Sequence, residues 1–385
     1  MKICYFGIYN HSYSRNSILI SGLRQNGIEV IECRSEKGGF FKYADLIQKH
    51  RKIRETYDCM IVGFPGYQSM ILARFLTPKP IIFDCFASAY DSLVFDRKQV
   101  RNGSIRARYY WFLDWLSMRI ADRVLFDTQA HIDYASKEFG ISKTKFRRMW
   151  IGADTTVFFP RFFCGKLEQG FALRSSSATV KGETLRKVFH REQQYETEKS
   201  KDFTVLFFGT FIPLQGIEYI VESAKFLEGK NIVFCIIGGG QLKEKIRAYA
   251  KSKQVKNIEF IDKMSQQELS QKITESDVCL GIFGNTAKTQ RVIPNKVYEC
   301  LAMKKPVITA DTLAARELLG DKDVCFVKSA DSVSLAGGIL RFKNDRNAME
   351  RIAQNGYDTF IKNATPEILG RELRGIVREL IETRK

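Results

Sequence analysis

"FTVLFFGTFIPLQGIEYIVESAKFL", residues 203–227, is the stretch that decides the fold. An unbroken apolar run closes at Gly209. A short turn through Thr210, Pro213 and Gln215 leads to Gly216. Beyond it Ile217, Ile220, Val221, Ala224 and Leu227 recur at helical spacing, so one face of the following helix is apolar. A strand with no polar alternation is buried on both faces, and a helix directly after it is the crossover of a parallel sheet. The turn between them lets backbone N–H groups and a helix N-terminus face an anion, although the same turn is ordinary α/β punctuation.

The pattern repeats in both directions. Downstream come "NIVFCIIGGG" (231–240), "NIEFID" (257–262), "VCLGIF" (278–283) and "PVITA" (306–310), with helical segments between them. "IIGGGQL" lacks the G-x-G-x-x-G spacing and is weak as a dinucleotide fingerprint. Upstream, "KICYFGIY" (2–9), "IEVIEC" (28–33), "DCMIVGFP" (58–65), "PIIFDCF" (80–86) and "RVLFDTQ" (123–129) form a second series of short strands. The helix "SRNSILISGLRQNG" follows the first of them and stops at Gly27. Two successive doubly wound halves predict a two-domain α/β protein with a cleft between the domains, its ligands outside the carboxyl ends of the strands. The expected boundaries are an N-terminal domain over 1–160, a linker or insertion over 161–200 and a C-terminal domain over 201–365. An amphipathic helix over 366–385 has Leu369, Leu373, Ile376, Val377 and Leu380 on its apolar side.

Composition narrows the partners. The chain has 385 residues and a formal charge of +18, which points to an anionic partner: nucleic acid, an anionic membrane surface or phosphorylated ligands. Nine cysteines show no C-x-x-C pair and mostly lie in apolar runs, which reads as buried thiols in a reducing compartment. The four histidines, at 11, 50, 131 and 190, are too scattered to suggest a metal cluster. No apolar run reaches the ~18 residues of a spanning helix, and "MKICYFGIYN" reads as a first strand, not a signal peptide. A cytoplasmic protein, placed at the inner face of a membrane, is the expectation.

"PNKVYECLAMKKPVIT" (294–309) raises the chemical question. Glu299 sits inside a short apolar helix, with Lys296 three residues before it on the same face. Ala302 and Pro306 leave room for tight packing against the strand that follows.

Taken together, "FFGTFIPLQGIEYIVESAKFL", "IIGGG", "NIEFIDKMSQQEL", "SDVCLGIF" and "PNKVYECLAMKKPVITAD" resemble the retaining GT-B glycosyltransferases of family 4, the group 1 glycosyltransferases. In the first half "ADRVLFDTQAHIDY" and "WIGADTTVFFP" look like the same family. The resemblance implies a GT-B architecture, two Rossmann-like doubly wound parallel-sheet domains facing a central cleft. It implies a nucleotide-sugar donor on the C-terminal domain, a glycan or lipid-linked acceptor on the N-terminal one, no cofactor and no metal. It also implies that the last helix crosses back to the first domain. Glu299 matches the second glutamate of the family's E-x7-E motif, where a carboxylate can accept from both ribose hydroxyls. Gly209, Thr210, Gly239, Asn295 and the turn near Lys263 complete the expected donor site.

The chain departs from that pattern at three places. Arg291 stands where the first glutamate belongs, and the family's two cationic slots fall on the neutral Thr210 and Gln215. Lys296, Arg291 and Lys288 are then the candidate cations for a leaving diphosphate, Lys296 first. The histidine that many members carry after a middle strand is absent from "PIIFDCFASAYDSLVFDR". Asp84 becomes the catalytic candidate there, with Asp91 and Arg97 as acceptor-side candidates. The departures also allow a catalytically degraded nucleotide-binding or partner protein of the same fold. Finally, "RKQVRNGSIRARYYWFLDWLSMRIADR" (97–123) interleaves arginines with aromatics, and "KHRKIR" (49–54) and "KTKFRR" (143–148) add cations. With no nucleic-acid motif beside them, peripheral contact with an anionic membrane is preferred over nucleic acid. A solvated arginine face over an aromatic core accounts for the same residues.

Overall fold

The computed structural model describes residues 1–160 and 202–383. The expected connector at 161–200 lies outside the described residues. The first half carries β1 (Lys2–Gly7), β2 (Glu29–Arg34), β3 (Cys59–Val62), β4 (Ile81–Phe86), β5 (Arg123–Phe126) and β6 (Phe146–Arg148). Their sheet order is β2-β1-β3-β4-β5-β6, and every pairing is parallel. Helices α1 (Ser14–Gln25), α2 (Phe41–Ile53), α3 (Tyr67–Leu76), α4 (Ile105–Ile120) and α5 (Gln129–Phe139) connect them. All four residues of β3 and residues 3–6 of β1 are inaccessible to solvent, which is why these strands show no polar alternation.

The second half carries β7 (Phe203–Thr210), β8 (Ile232–Gly239), β9 (Ile258–Ile261), β10 (Val278–Leu280), β11 (Val307–Ala310) and β12 (Cys325–Val327). The order β12-β11-β10-β7-β8-β9 is again wholly parallel. Its helices are α6 (Ile217–Phe226), α7 (Lys243–Ser252), α8 (Gln266–Glu275), α9 (Asn295–Ala302), α10 (Leu313–Arg316), α11 (Ser332–Asn344), α12 (Arg346–Asn363) and α13 (Pro366–Glu382). The strand order reverses between β1 and β3 in one sheet and between β7 and β10 in the other. Those two switch points are where a doubly wound sheet opens a crevice.

Local chemistry sets the helix ends. Thr128 caps α5 by accepting from the His131 N–H, and Gly140 ends it in the left-handed region. Ser265 and Glu268 form a reciprocal capping box at the start of α8. Thr365 caps α13, with Pro366 in the first helical position.

Helix α13 leaves the second half and packs on α1 of the first. Its apolar stripe, Leu369, Leu373, Ile376, Val377 and Leu380, is buried. The crossing point pairs Gly22 with Gly370. A Cβ on Gly22 would fall 2.1 Å from the Pro366 carbonyl oxygen, and one on Gly370 would fall 2.0 Å from the Gly22 backbone. Only glycine on both sides permits so close an approach. The Asn26 amide donates to the Glu367 carbonyl at 2.9 Å, and Arg147 pairs with Glu379 at 2.6 Å. The eight cysteines among the described residues are all buried thiols. Among the described residues no helix is long and apolar enough to cross a membrane.

Candidate functional site

A cavity of about 430 Å³ lies between the carboxyl ends of the two sheets. The first half lines it with Tyr13 after β1, Phe64 after β3, Phe86, Ser92 and Arg97 at and after the end of β4, and Asp127 after β5. The second half supplies Gly209, Thr210 and Gln215 after β7, and Lys288, Asn295, Lys296 and Glu299 after β10. Both switch points open into this one space.

Lys296 sits in the first turn of α9, and its backbone N-terminus faces the cavity through Pro294 and Asn295. The ammonium donates to the Gln215 side-chain carbonyl at 2.5 Å and to the Gly281 carbonyl at 3.3 Å. It stands 3.6 Å over the centre of the Phe207 ring. Gly209 adopts φ of 149°, and a Cβ there would come within 3.2 Å of the Lys296 nitrogen. Glycine therefore keeps the slot of the ammonium open. Burial holds the Lys296 pKa well below the ordinary lysine value, with Cys300 and Glu299 pulling it back up. Glu299, one turn further on, makes no hydrogen bond through its side chain among the described residues. Burial pushes its carboxyl up to about 7, against the opposing pull of Lys296.

The halves meet beside the cavity through polar contacts. Arg291 donates to Asp91 at 2.5 Å and stacks 4.0 Å over the ring of Tyr134. Lys288 donates to the Ser92 hydroxyl at 2.5 Å, and the Leu214 N–H to Asp96 at 3.1 Å. Glu317 accepts from the Gln129 and Ala130 N–H groups at 2.6 and 2.7 Å, so it caps α5 from the opposite half.

Three kinds of relative set this geometry in context. Residues 189–359 match the family model described as Glycosyl transferases group 1. The probable glycosyltransferase WbjE of Pseudomonas aeruginosa is 27% identical over 107 residues, covering 26% of this chain and 25% of that protein. The alpha-D-kanosaminyltransferase of Streptomyces kanamyceticus is 22% identical over 179 residues, 46% of this chain and 45% of that protein. The matched stretches thus span less than half the length of these curated relatives. Among solved structures, a sucrose-phosphate synthase from Thermosynechococcus elongatus superposes with a TM-score of 0.71 at 13% identity, covering 99% of both chains. HepE of Anabaena in complex with UDP-glucose superposes with a TM-score of 0.67 at 11% identity, covering 98% of this chain and 100% of that one.

The fold is GT-B. Within it, the expected site residues divide. Lys296, Glu299, Gly209, Thr210, Asn295 and Arg97 all line the cavity of the GT-B cleft. Gly239 and Lys263 do not. The strand order places β8 and β9 beyond β7, away from the switch point, so Gly239 is buried beside Thr210 in the sheet and Lys263 is exposed past β9.

Asp84 requires a correction as the catalytic candidate. It is wholly buried, and Arg15, equally buried, binds both its oxygens at 2.7–3.1 Å. Burial lifts the Asp84 carboxyl and Arg15 pulls it down, while the guanidinium also holds the Met149 and Trp150 carbonyls. The pair ties β4 to α1 and the β6 exit, and it does not reach the cavity. Asp91 and Arg291 are corrected likewise: they neutralise each other across the interdomain contact and are absent from the cavity wall.

Lys288, considered only as a reserve cation, does line the cavity. Burial lowers its pKa, and Asp91 and Asp96 raise it. Sequence reading passed over Asp127 altogether, although it is the first residue beyond a strand's carboxyl end, the position that the switch-point rule singles out. Among the described residues no group of three or more His, Cys, Asp or Glu side chains is placed to hold a metal ion.

Proposed function

We propose that this protein is a glycosyltransferase that moves a sugar from a nucleotide-sugar donor to a glycan or lipid-linked acceptor, with retention and without a metal. The observation that carries the proposal is the Lys296 ammonium at the Gln215 side chain, beside the N-terminus of α9 and the turn after β7. The resemblance leaves a neutral glutamine where a cation is needed, and the fold brings a cation to that same place from another helix. A buried lysine, a helix N-terminus and a glycine turn together suit a diphosphate. Glu299, one turn deeper, suits the vicinal hydroxyls of a ribose. The group 1 match over 189–359 supports sugar transfer, and the bound UDP-glucose of HepE supports this class of donor.

Burial disfavours the charged form of Lys296, and the negative charge of a diphosphate favours it. Retaining transfer then needs positioning and stabilisation of charge more than a dedicated base. The acceptor side includes an exposed apolar face on α2, α3 and α4. Phe41, Phe75, Ile105, Tyr109 and Phe112 are between 48% and 87% exposed there. Tyr43, Gln68 and Tyr109 join the three helices by hydrogen bonds, and Arg106 and Arg108 flank the face. We assign it to peripheral contact with an anionic membrane, at the cytoplasmic side, near a lipid-linked acceptor.

The test is a thermal-shift and calorimetric screen of UDP, GDP, ADP and TDP with their common sugar conjugates. One nucleotide class should raise the melting temperature of wild type by mass action. Lys296→Met should weaken that ligand strongly and lower turnover by about 100-fold. It should leave the melting temperature of the ligand-free protein unchanged or higher, since it removes a buried cation. Wild-type turnover in Lys296→Met would sink the assignment. A second reading, a nucleotide-binding partner protein without transfer, is favoured by the engagement of Arg291 with Asp91. It would show as nucleotide binding with no sugar release in the presence of any acceptor.

A further inference from the structure

The mechanism above leaves the first-half wall of the cleft without a role, and that wall has a definite chemistry. Tyr13, Phe64 and Phe86 line it as a contiguous aromatic group, with ring centres 5.5 Å apart for Tyr13 and Phe64 and 4.9 Å for Phe64 and Phe86. One carboxylate lies on the same wall: Asp127, 1% exposed. Its Oδ1 accepts from His131 Nδ1 at 2.8 Å, one turn along α5. That bond assigns the proton to Nδ1. Its Oδ2 is buried and has no hydrogen-bond partner among the described residues.

The usual structural duties of such a residue are already filled. Thr128, not Asp127, caps α5. Arg15, the buried cation of this region, is engaged by Asp84 and by two carbonyls. A buried carboxylate oxygen left unpaired is costly, and a hydroxyl donor relieves that cost. An aromatic wall with one carboxylate matches the two aspects of a pyranose, apolar C–H faces and a rim of hydroxyl groups.

We propose that Asp127, oriented by His131, is a sugar-binding residue that accepts a hydrogen bond from a pyranose hydroxyl in the cleft. The proposal rests on the glycosyltransferase reading. The hydroxyl belongs to the transferred sugar of the donor or to a sugar acceptor, and the two sources separate experimentally.

The experiment compares wild type, Asp127→Asn and Asp127→Ala. The asparagine keeps one oxygen for His131 and puts a donor in place of the unpaired oxygen, so the fold is preserved while acceptance is lost. Each protein is titrated with UDP and with UDP-glucose, or with the nucleotide and conjugate that wild type binds best in the screen above. Transfer to octyl glucoside is measured alongside. If Asp127 touches the donor sugar, both variants bind the nucleotide as wild type does but lose about tenfold in affinity for the conjugate. If it touches the acceptor, donor affinity is unchanged, hydrolysis of the conjugate persists, and transfer falls about tenfold or more. Unchanged affinity and transfer in Asp127→Asn overturn the proposal. So does a parallel loss of nucleotide affinity and melting temperature, the mark of a purely structural pair. Failure of wild type to bind any nucleotide overturns the glycosyltransferase reading itself, a separate result.

Discussion

Glu299 shows what one buried residue does to the whole chain. Burial raises its folded-state carboxyl from an ordinary 4.5 to about 7. Between those values the folded protein holds a proton that the unfolded chain has released, so stability falls as pH rises through the window. The loss is complete above pH 7 and amounts to roughly 3 kcal/mol at most. Glu299→Gln removes the buried charge and should raise the melting temperature of the ligand-free protein at pH 8. The difference from wild type should close as pH falls toward 4.5. The same substitution should weaken nucleotide binding about tenfold, because an amide offers the ribose hydroxyls one neutral acceptor oxygen where the carboxylate offers two charged ones. Calorimetry and thermal melts at pH 5, 6, 7 and 8 check both halves. A variant that melts below wild type at pH 8 would contradict the account. The residue was legible in "PNKVYECLAMKKPVIT"; its raised pKa was not, because burial is a property of the surroundings.

At the scale of elements, the informative contact is the crossing of α1 and α13. The amphipathic stripe of α13 was plain in the sequence, and the family resemblance implied the direction of its return. The partner glycine was not legible: Gly22 and Gly370 are 348 positions apart, and neither has a local turn to explain it. Gly370→Val should force the two helices apart and cost about 3 kcal/mol, in the range of overpacked contacts. A drop in melting temperature of several degrees, with nucleotide affinity retained at low temperature, is the expected outcome. Wild-type stability in this variant would mean that the helices do not cross so closely. The Arg15–Asp84 pair belongs to the same scale. Asp84 looked chemical because it closes the apolar run "PIIF" in the sequence, but it lies inside β4 and α1 places a guanidinium against it.

For the whole molecule, charge and exposed apolar surface make one prediction together. The formal charge of +18 and the exposed Phe75, Ile105 and Phe112 should bring the protein to vesicles containing phosphatidylglycerol, with release at high salt. Phe75→Ser with Phe112→Ser should weaken cosedimentation while leaving nucleotide binding intact. A wild-type protein that stays in the supernatant with anionic vesicles would refute the membrane assignment.

Sequence by itself determined the periodicities: ten of the twelve strands among the described residues, the helices between them and the restart of the pattern that makes two halves. Those follow from side-chain spacing along the chain, and spacing is written in the sequence. It also named Lys296 and Glu299 through a motif in which both sit on one helix. Tertiary structure alone decided which charges remain available. Asp84, Asp91 and Arg291 were drawn into pairs by residues 69 to 200 positions distant; Asp91 and Asp127 each keep one buried oxygen unpaired, and of the two it is Asp127 that lines the cavity. Whether a carboxylate or guanidinium can act depends on what lies within about 3 Å of it, and no local pattern encodes a contact made across the fold.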